Sequence, residues 1–528
     1  SDKMKEEIKI SDISKKDEML VKLSSEDLMK LPKPYDEISV KLGEPIINKG
    51  YVSDLDGFVA IDLEWKPKDE EEERELILKF RNGVKKLLDK EANWTFLYPL
   101  LLSLNYCTRC KSCSLACHVY LGSGKKEIYR PTYRSEVFRR VVNSQKGKLR
   151  AKFFGSIEIN SKLVLRLAEL AYRCNLCRRC AQFCPIGVDN GLIAREIRKL
   201  FAQELGIAPK ALHSQGSIKQ LQNGSSTGLT PEGFKDMIRF IEEEILEKTG
   251  KRIKIPVDKK GSEILLIHNA GDYLSRLENV MAYALIFEEA GIDWTLSGEA
   301  LGYDVVNYGV WFDDLQLARI ALRHVEVAKK LEVEKIVVGE CGHAHKALLA
   351  VSDRIIPEEY RIPRESCIPL LWEIVRKNLD LDPSKNDFPV TLHDPCNIVR
   401  NLGIVEPQRK ILQKICPQFR EMEPNGFYNY CCGGGGGLAV INSLNFPEFK
   451  KTVSGRVKFS QILNSFQDVP PHERKFVCAP CSNCRSMLRD LFAFYKAGEK
   501  CRIHECGLAE LIANAMLDAK MSFFNSKY

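Results

Sequence analysis

The chain has 528 residues, 44% of them hydrophobic and 28% charged, a composition that supports several domains with real apolar cores. Lysine and arginine outnumber aspartate and glutamate by 79 to 71, too small a surplus over this length to argue for a nucleic-acid partner. The longest apolar run of the first half, residues 94–104, falls short of the roughly twenty residues that a spanning helix needs, so no membrane span of its own is expected.

The sequence opens on polar residues (Met4-Lys5-Glu6-Glu7-Ile8) with no basic and then apolar leader, which leads us to expect a cytoplasmic protein. In that reducing compartment 19 cysteines are expected to be metal ligands or redox groups and not disulfides. Residues 1–90 mix a strand-like run at 58–63 with an acidic block at 69–75 that reads as a solvated helix start. They carry no cysteine and are expected to be a docking or scaffold extension.

Residues 91–213 hold the first chemistry. Cys107, Cys110, Cys113 and Cys117 follow the spacing C-x2-C-x2-C-x3-C, and Cys174, Cys177, Cys180 and Cys184 repeat it. This is the bacterial ferredoxin run, in which three close cysteines wrap one four-iron cluster and the fourth reaches the other. The expected ligand sets cross over: Cys107, Cys110, Cys113 and Cys184 for one [4Fe-4S] cubane, and Cys174, Cys177, Cys180 and Cys117 for the second. Zinc would be expected to take cysteines in pairs separated by a longer loop. His118 stands where proline usually follows the fourth cysteine, and Pro185 keeps that place in the second run. Apolar residues at helical spacing between the runs (Leu163, Leu167, Leu170 and Ala171) predict an α-helical ferredoxin domain.

Residues 214–229 read as a glycine and serine rich linker, and a helix should open at Thr230-Pro231, with threonine as N-cap, completing a linker-and-helix segment over 214–254. From 255 onward strand and helix patterns alternate. Strands are predicted at 264–268, 335–339, 390–393 and 475–478, which argues for α/β layers with parallel strands. The stretches 255–384 and 385–528 read as a weak duplication, the first a copy that has lost its metal. Its lone Cys341 and Cys367 are taken as packing residues.

The second copy carries Cys396, the pair Cys431 and Cys432, and Cys478, Cys481 and Cys484. Adjacent cysteines bridge to each other poorly, but two neighbouring thiolates can face one metal centre. Gly433, Gly434, Gly435, Gly436 and Gly437 then clear the side chains from beside it, so that backbone N–H groups can point at sulfur. Cys396, Cys431, Cys432, Cys481 and Cys484 are read as the ligands, with Cys478 a packing thiol. Five exceeds the four of a cubane, so one thiolate bridges two irons or one is spare. His393, His343, Asp394, His345 and Glu340 are candidate proton donors.

The pattern Cys396…Cys431-Cys432-Gly433…Cys481-Ser482-Asn483-Cys484 resembles the CCG domain of heterodisulfide reductases. A two-cluster module followed by two such domains looks like their HdrD-type subunit over roughly residues 90–528, and the single intact site with a long N-terminal extension is similar to the DsrK/HmeD branch. The resemblance implies a noncubane [4Fe-4S] cluster held by the five cysteines, with Cys431 and Cys432 at its catalytic heart, beside two cubane clusters. It further implies a cytoplasmic arm attached to the membrane through a haem b subunit (DsrM-like) and other complex subunits. Electrons from menaquinol would reduce a disulfide or trisulfide on a DsrC-like carrier in sulfate or sulfite reduction. Two rivals remain: the relay subunit of a quinone-linked glycolate or lactate dehydrogenase, and a non-catalytic zinc scaffold. No G-x-G-x-x-G follows a predicted strand, so a flavin would sit on another chain.

Overall fold

The computed structural model describes residues 67–93, 95–442 and 446–516. The strand-like run at 58–63 and Trp94 lie outside them. The first helix, Glu70–Leu87, starts as its sequence dictates: Asp69 accepts a hydrogen bond from the Glu72 N–H at 2.9 Å, and four glutamates occupy the positive end of the helix dipole. Its other face buries Phe80 and Val84 on the helix Asn190–Leu205, with the Phe80 and Phe201 rings 5.9 Å apart. The extension expected over 1–90 is therefore shorter, because from residue 70 the chain belongs to the helical module.

That module packs Leu97–Asn105, Pro131–Gln145 and Ser161–Tyr172 around the central helix Asn190–Leu205. The two cysteine runs are the loops that leave Leu97–Asn105 and Ser161–Tyr172. Both loops twist alike: Arg109 and Lys111 in the first, Leu176 and Arg178 in the second, take positive φ of 52–65°. Long or branched side chains adopt that conformation only when the surroundings impose it, and here it repeats at matching positions of the two motifs.

The expected linker is a packed segment. Ser217, Gln220 and Ser225 are fully buried. Gln220 donates to the Val306 carbonyl at 2.7 Å, and the Ser226 N–H donates to Asp304 at 2.7 Å. Polar composition misled because Gln220 and Ser226 satisfy a buried carbonyl and a buried carboxylate instead of water. The following helix, Pro231–Thr249, opens as read, with Thr230 accepting from the Gly233 N–H at 3.2 Å.

The rest of the chain forms two four-stranded parallel sheets. In the first, β1 (Ile264–Ile267), β2 (Trp294–Thr295), β3 (Lys335–Val338) and β4 (Arg364–Ser366) are ordered β2-β1-β3-β4. In the second, β5 (Val390–Leu392), β6 (Phe419–Arg420), β7 (Lys475–Cys478) and β8 (Ile503–Cys506) are ordered β6-β5-β7-β8. The topologies coincide, and all pairings are parallel. The two units are joined by buried ion pairs, Arg485 reaching Asp272 and Glu340 at 3.2 Å each and Arg276 reaching Glu505. The loops after β3 and β7 meet at this junction, where the Ser482 N–H donates to the Glu340 carbonyl at 2.7 Å.

Candidate metal centre

Cys396 starts the helix that follows β5, and Cys481 caps the helix that follows β7, placing Cys484 in its first turn. Both loops leave the carboxyl ends of inner strands, the usual seat of sites in parallel α/β sheets. Cys431 and Cys432 arrive on the glycine loop. Within this pocket Cys432 and Cys484 lie within 4.8 Å of each other, Cys431, Cys432, Cys481 and Cys484 share one buried cluster, and Cys396 acts on Cys431. All five are buried. The donor set is entirely sulfur, which suits an iron–sulfur centre and not a hard cation.

The neighbours Cys177, Cys396 and Cys432 push Cys431 well above the ordinary thiol range, and Cys431 and Cys484 hold Cys432 well below it.

The glycines do what their position suggested. The Gly433 N–H points at the Cys431 sulfur and the Gly434 N–H at that of Cys432, each at 3.4 Å. A Cβ on Gly435 would lie 2.7 Å from the Asn175 carbonyl and 3.4 Å from the Cys431 sulfur, so no side chain fits there. Asn175, inside the second ferredoxin run, explains this closeness: its amide donates to the Gly433 and Gly435 carbonyls at 2.9 and 3.0 Å. Its side-chain oxygen takes bonds from Ser454 at 2.8 Å and pairs with His118 at 2.6 Å. Arg198 adds a bond to the Gly436 carbonyl at 2.6 Å and another to the Cys174 carbonyl at 2.7 Å. His118, which replaces the usual proline, thus helps tie the two cysteine regions together.

The decisive contact follows from this clamp. Cys177 of the second run packs against the buried cluster that holds Cys431 and Cys432, and its neighbour Cys431 is the main cause that lowers the Cys177 thiol well below its ordinary range. Burial pushes Cys113 up to about 11, and Cys117, Cys107 and Cys184 add to the rise. Cys117 and Cys180, raised chiefly by burial, both lie in the field of Cys174 and Cys177. Arg134 is buried beside this inner set and donates to Cys117 at 3.7 Å. Cys110 is exposed, 3.3 Å from the Ser112 hydroxyl.

Of the candidate proton donors, His393 alone faces the sulfurs, its imidazole within 4.8 Å of Cys432 and Cys484. Neither of its ring nitrogens has a conventional hydrogen-bond partner, and burial keeps it neutral. His343 is differently placed. Its Nε2 accepts from the Asn307 N–H at 3.2 Å, and its Nδ1 lies 2.8 Å from the Asn483 side-chain nitrogen and 3.5 Å from the Cys341 sulfur. Burial lowers its pKa to about 3, and Trp311 covers it at 4.5 Å between ring centroids. Its contacts are with the Cys481–Cys484 loop, through Asn483, and with Cys341. His345 bonds the Cys341 carbonyl at 2.9 Å and Ser366 at 2.8 Å. Glu340 accepts from the Leu508 N–H at 2.9 Å, and Asp394 takes a two-pronged ion pair from Arg409. These three are structural.

Sequence reading missed two residues. Cys341 occupies the position in the first unit that Cys481 holds in the second, after β3 as Cys481 is after β7, and the next N–H, of Gly342, donates to the Cys481 sulfur at 3.2 Å. Aligning the two strand ends would have found it. Lys458, fully buried on the helix Arg456–Ser465, has its ammonium 2.8 Å from the Asn429 side chain, and no motif marked it. Cys478 lies apart from the five, opposite Cys506 on β8.

Two family models match the chain: a 4Fe-4S dicluster domain over residues 103–188 and a cysteine-rich domain over residues 390–489. The chain is 26% identical over 410 residues to an Hdr-like menaquinol oxidoreductase iron-sulfur subunit of Archaeoglobus fulgidus, covering 68% of this chain and 71% of that protein. It is 25% identical over 398 residues to one of the subunits of the dihydromethanophenazine:CoB–CoM heterodisulfide reductase of Methanosarcina acetivorans, covering 74% of this chain and 89% of that one. An EtfAB:quinone oxidoreductase of Syntrophomonas wolfei is 22% identical over 366 residues, 66% of this chain and 47% of that protein. Among the described residues, no helix is long and apolar enough to cross a membrane.

Proposed function

We propose that this chain, an iron–sulfur oxidoreductase subunit of the heterodisulfide reductase kind, cleaves a disulfide or trisulfide at the five-cysteine pocket with electrons drawn from menaquinol. Cys107, Cys110, Cys113 and Cys184 would hold the outer cubane, and Cys174, Cys177, Cys180 and Cys117 the inner one. Cys396, Cys431, Cys432, Cys481 and Cys484 would hold a noncubane [4Fe-4S] cluster. The substrate class is a sulfur carrier protein of the DsrC kind, in sulfite or sulfate reduction. A haem b membrane subunit would deliver the electrons and hold the chain peripherally at the cytoplasmic face. The unit at 255–384 is read as a degenerate CCG domain that retains the strand order and only the counterpart of Cys481.

The observation that carries this reading is the packing of Cys177, of the inner run, against the buried cluster that holds Cys431 and Cys432. A disulfide needs two electrons and a cubane passes one at a time, so a terminal centre must sit against the relay. Bound in the pocket, a four-iron centre would supply stepwise electron storage next to the substrate sulfur. The residues of the chain do the rest. Asn175 and Arg198 fix the glycine loop on the inner run, the Gly433 and Gly434 N–H groups stabilise charge on the two adjacent sulfurs, and neutral His393 presents a polar ring to a departing thiolate.

The test is anaerobic reduction of a disulfide-bearing two-cysteine carrier protein with a reduced viologen as electron donor. Cys484→Ser should abolish dye oxidation while leaving the cubane spectra intact. Cys484 is the better target than Cys431, whose influence on Cys177 would entangle the relay. Full activity in the variant would refute the assignment.

A further inference from the structure

Lys458 is unusual on elementary grounds. Its side chain is fully buried, and an ammonium taken out of water without a counter-charge is costly, so nearly all buried lysines are ion-paired. Its near partners are neutral: Asn429 at 2.8 Å, the Met422 sulfur at 3.6 Å, and Gln461. Among the described residues it makes no salt bridge. Asp394, whose charge it feels, is already committed to Arg409 and to the Gly426 N–H at 2.7 Å. Burial pulls Lys458 down to about 7, against which Cys432, Asp394, Cys431 and Cys484 act to hold its charge. Asn429, one of its acceptors, lies two residues before Cys431 and is itself held by Arg400, which donates to the Asn429 carbonyl at 2.9 Å. The amine is therefore fixed in place on the segment that leads into Cys431 and Cys432.

We propose that Lys458 is the fixed counter-cation of the five-cysteine centre and sets its reduction potential. The inference rests on the reading of that pocket as an iron–sulfur site. Each electron that enters adds a negative charge in the field of the ammonium. Cleavage of the substrate, RS–SR + 2e⁻ → 2RS⁻, creates two anions from none, and a positive charge on Lys458 favours both changes. Lys458 touches no ligand sulfur, so it is a positioning residue and its signature is a potential.

The experiment is an anaerobic redox titration of the full chain with all its iron, followed by electron paramagnetic resonance, for wild type, Lys458→Gln and Lys458→Arg. Wild-type protein without a third cluster would defeat the functional reading itself, before Lys458 is tested. With the cluster present, neutral Lys458→Gln should lower the equilibrium constant for one-electron reduction about tenfold or more, about 60 mV, leaving the cubane potentials in place. Lys458→Arg should stay within about threefold of wild type. An unchanged potential in Lys458→Gln overturns the proposal. If Lys458→Gln loses the third cluster while Lys458→Arg keeps it at wild-type potential, the charge is required for assembly and the proposal stands. If both variants lose it, the side chain acts by fit and the proposal falls.

Discussion

Gly433→Ala tests the loop at its tightest point. Gly433 has φ +91°, and a Cβ built there would lie 2.5 Å from the Gly455 N and Cα and 2.6 Å from the Ser454 carbonyl carbon. All three atoms are backbone, so no side chain can swing aside. The left-handed conformation costs alanine roughly 1–2 kcal/mol, and forcing a methyl into a packed site adds roughly 1–3 kcal/mol, about 2–5 kcal/mol together. To reach ordinary van der Waals distance the loop must move by about 1 Å, whereas metal–ligand distances tolerate only about 0.2 Å. Because the Gly433 N–H sits 3.4 Å from the Cys431 sulfur, that shift falls on the ligands. Gly403→Ala is the control: Gly403 has φ +70° but nothing within 4 Å of its Cβ, so only the conformational cost applies. Anaerobic urea unfolding followed by tryptophan fluorescence, with iron analysis, should show Gly433→Ala destabilised more than Gly403→Ala and its iron reduced from roughly twelve to roughly eight per chain. Equal stability and equal iron in the two variants would refute the packing argument.

Asn175→Ala should cost about 2 kcal/mol by removing its bonds to the Gly433 and Gly435 carbonyls, each worth about 1 kcal/mol net, and should slow electron transfer from the inner cubane to the terminal centre, measured by freeze-quench after dye reduction. Glu510, buried beside Arg276, has its pKa raised by burial from 4.5 to about 7. Because the folded state holds this proton more tightly than the unfolded one, its stabilising contribution is full below pH 4.5 and is lost as pH rises through about 7. Glu510→Gln should therefore be more stable than wild type above pH 7, by about 3 kcal/mol as an upper value, with the difference shrinking toward pH 5 in urea titrations. A pH-independent difference would contradict this.

Much of the site was legible because its chemistry needs rare residues in rigid spacing. Cysteine runs and a five-glycine loop have few other uses, and the parallel strands β1, β3, β5 and β7 announced themselves as short apolar runs between helical patterns. The edge strands did not. β2 and β6 have two residues each, and β4 carries Arg364 and Glu365, so neither length nor alternation marks them. The clamp was hidden for a different reason. Asn175 reaches loop carbonyls 258 and 260 residues later in the chain, and no local pattern encodes such a meeting. Lys458 was invisible because a lysine on a helix reads as solvent-facing until burial is known. His343 was legible as a candidate only by residue type, and its neighbours Asn307, Asn483 and Cys341 come from three separate parts of the fold.

The central claim is that substrate sulfur is reduced at the five-cysteine pocket and not elsewhere along the relay. Iron analysis with electron paramagnetic resonance of the oxidised, anaerobically prepared protein, with and without a thiol substrate, tests it directly. Roughly twelve irons per chain and a signal that appears only with thiol are the predicted result. Roughly eight irons with no thiol-dependent signal would contradict it and reduce the chain to an electron relay.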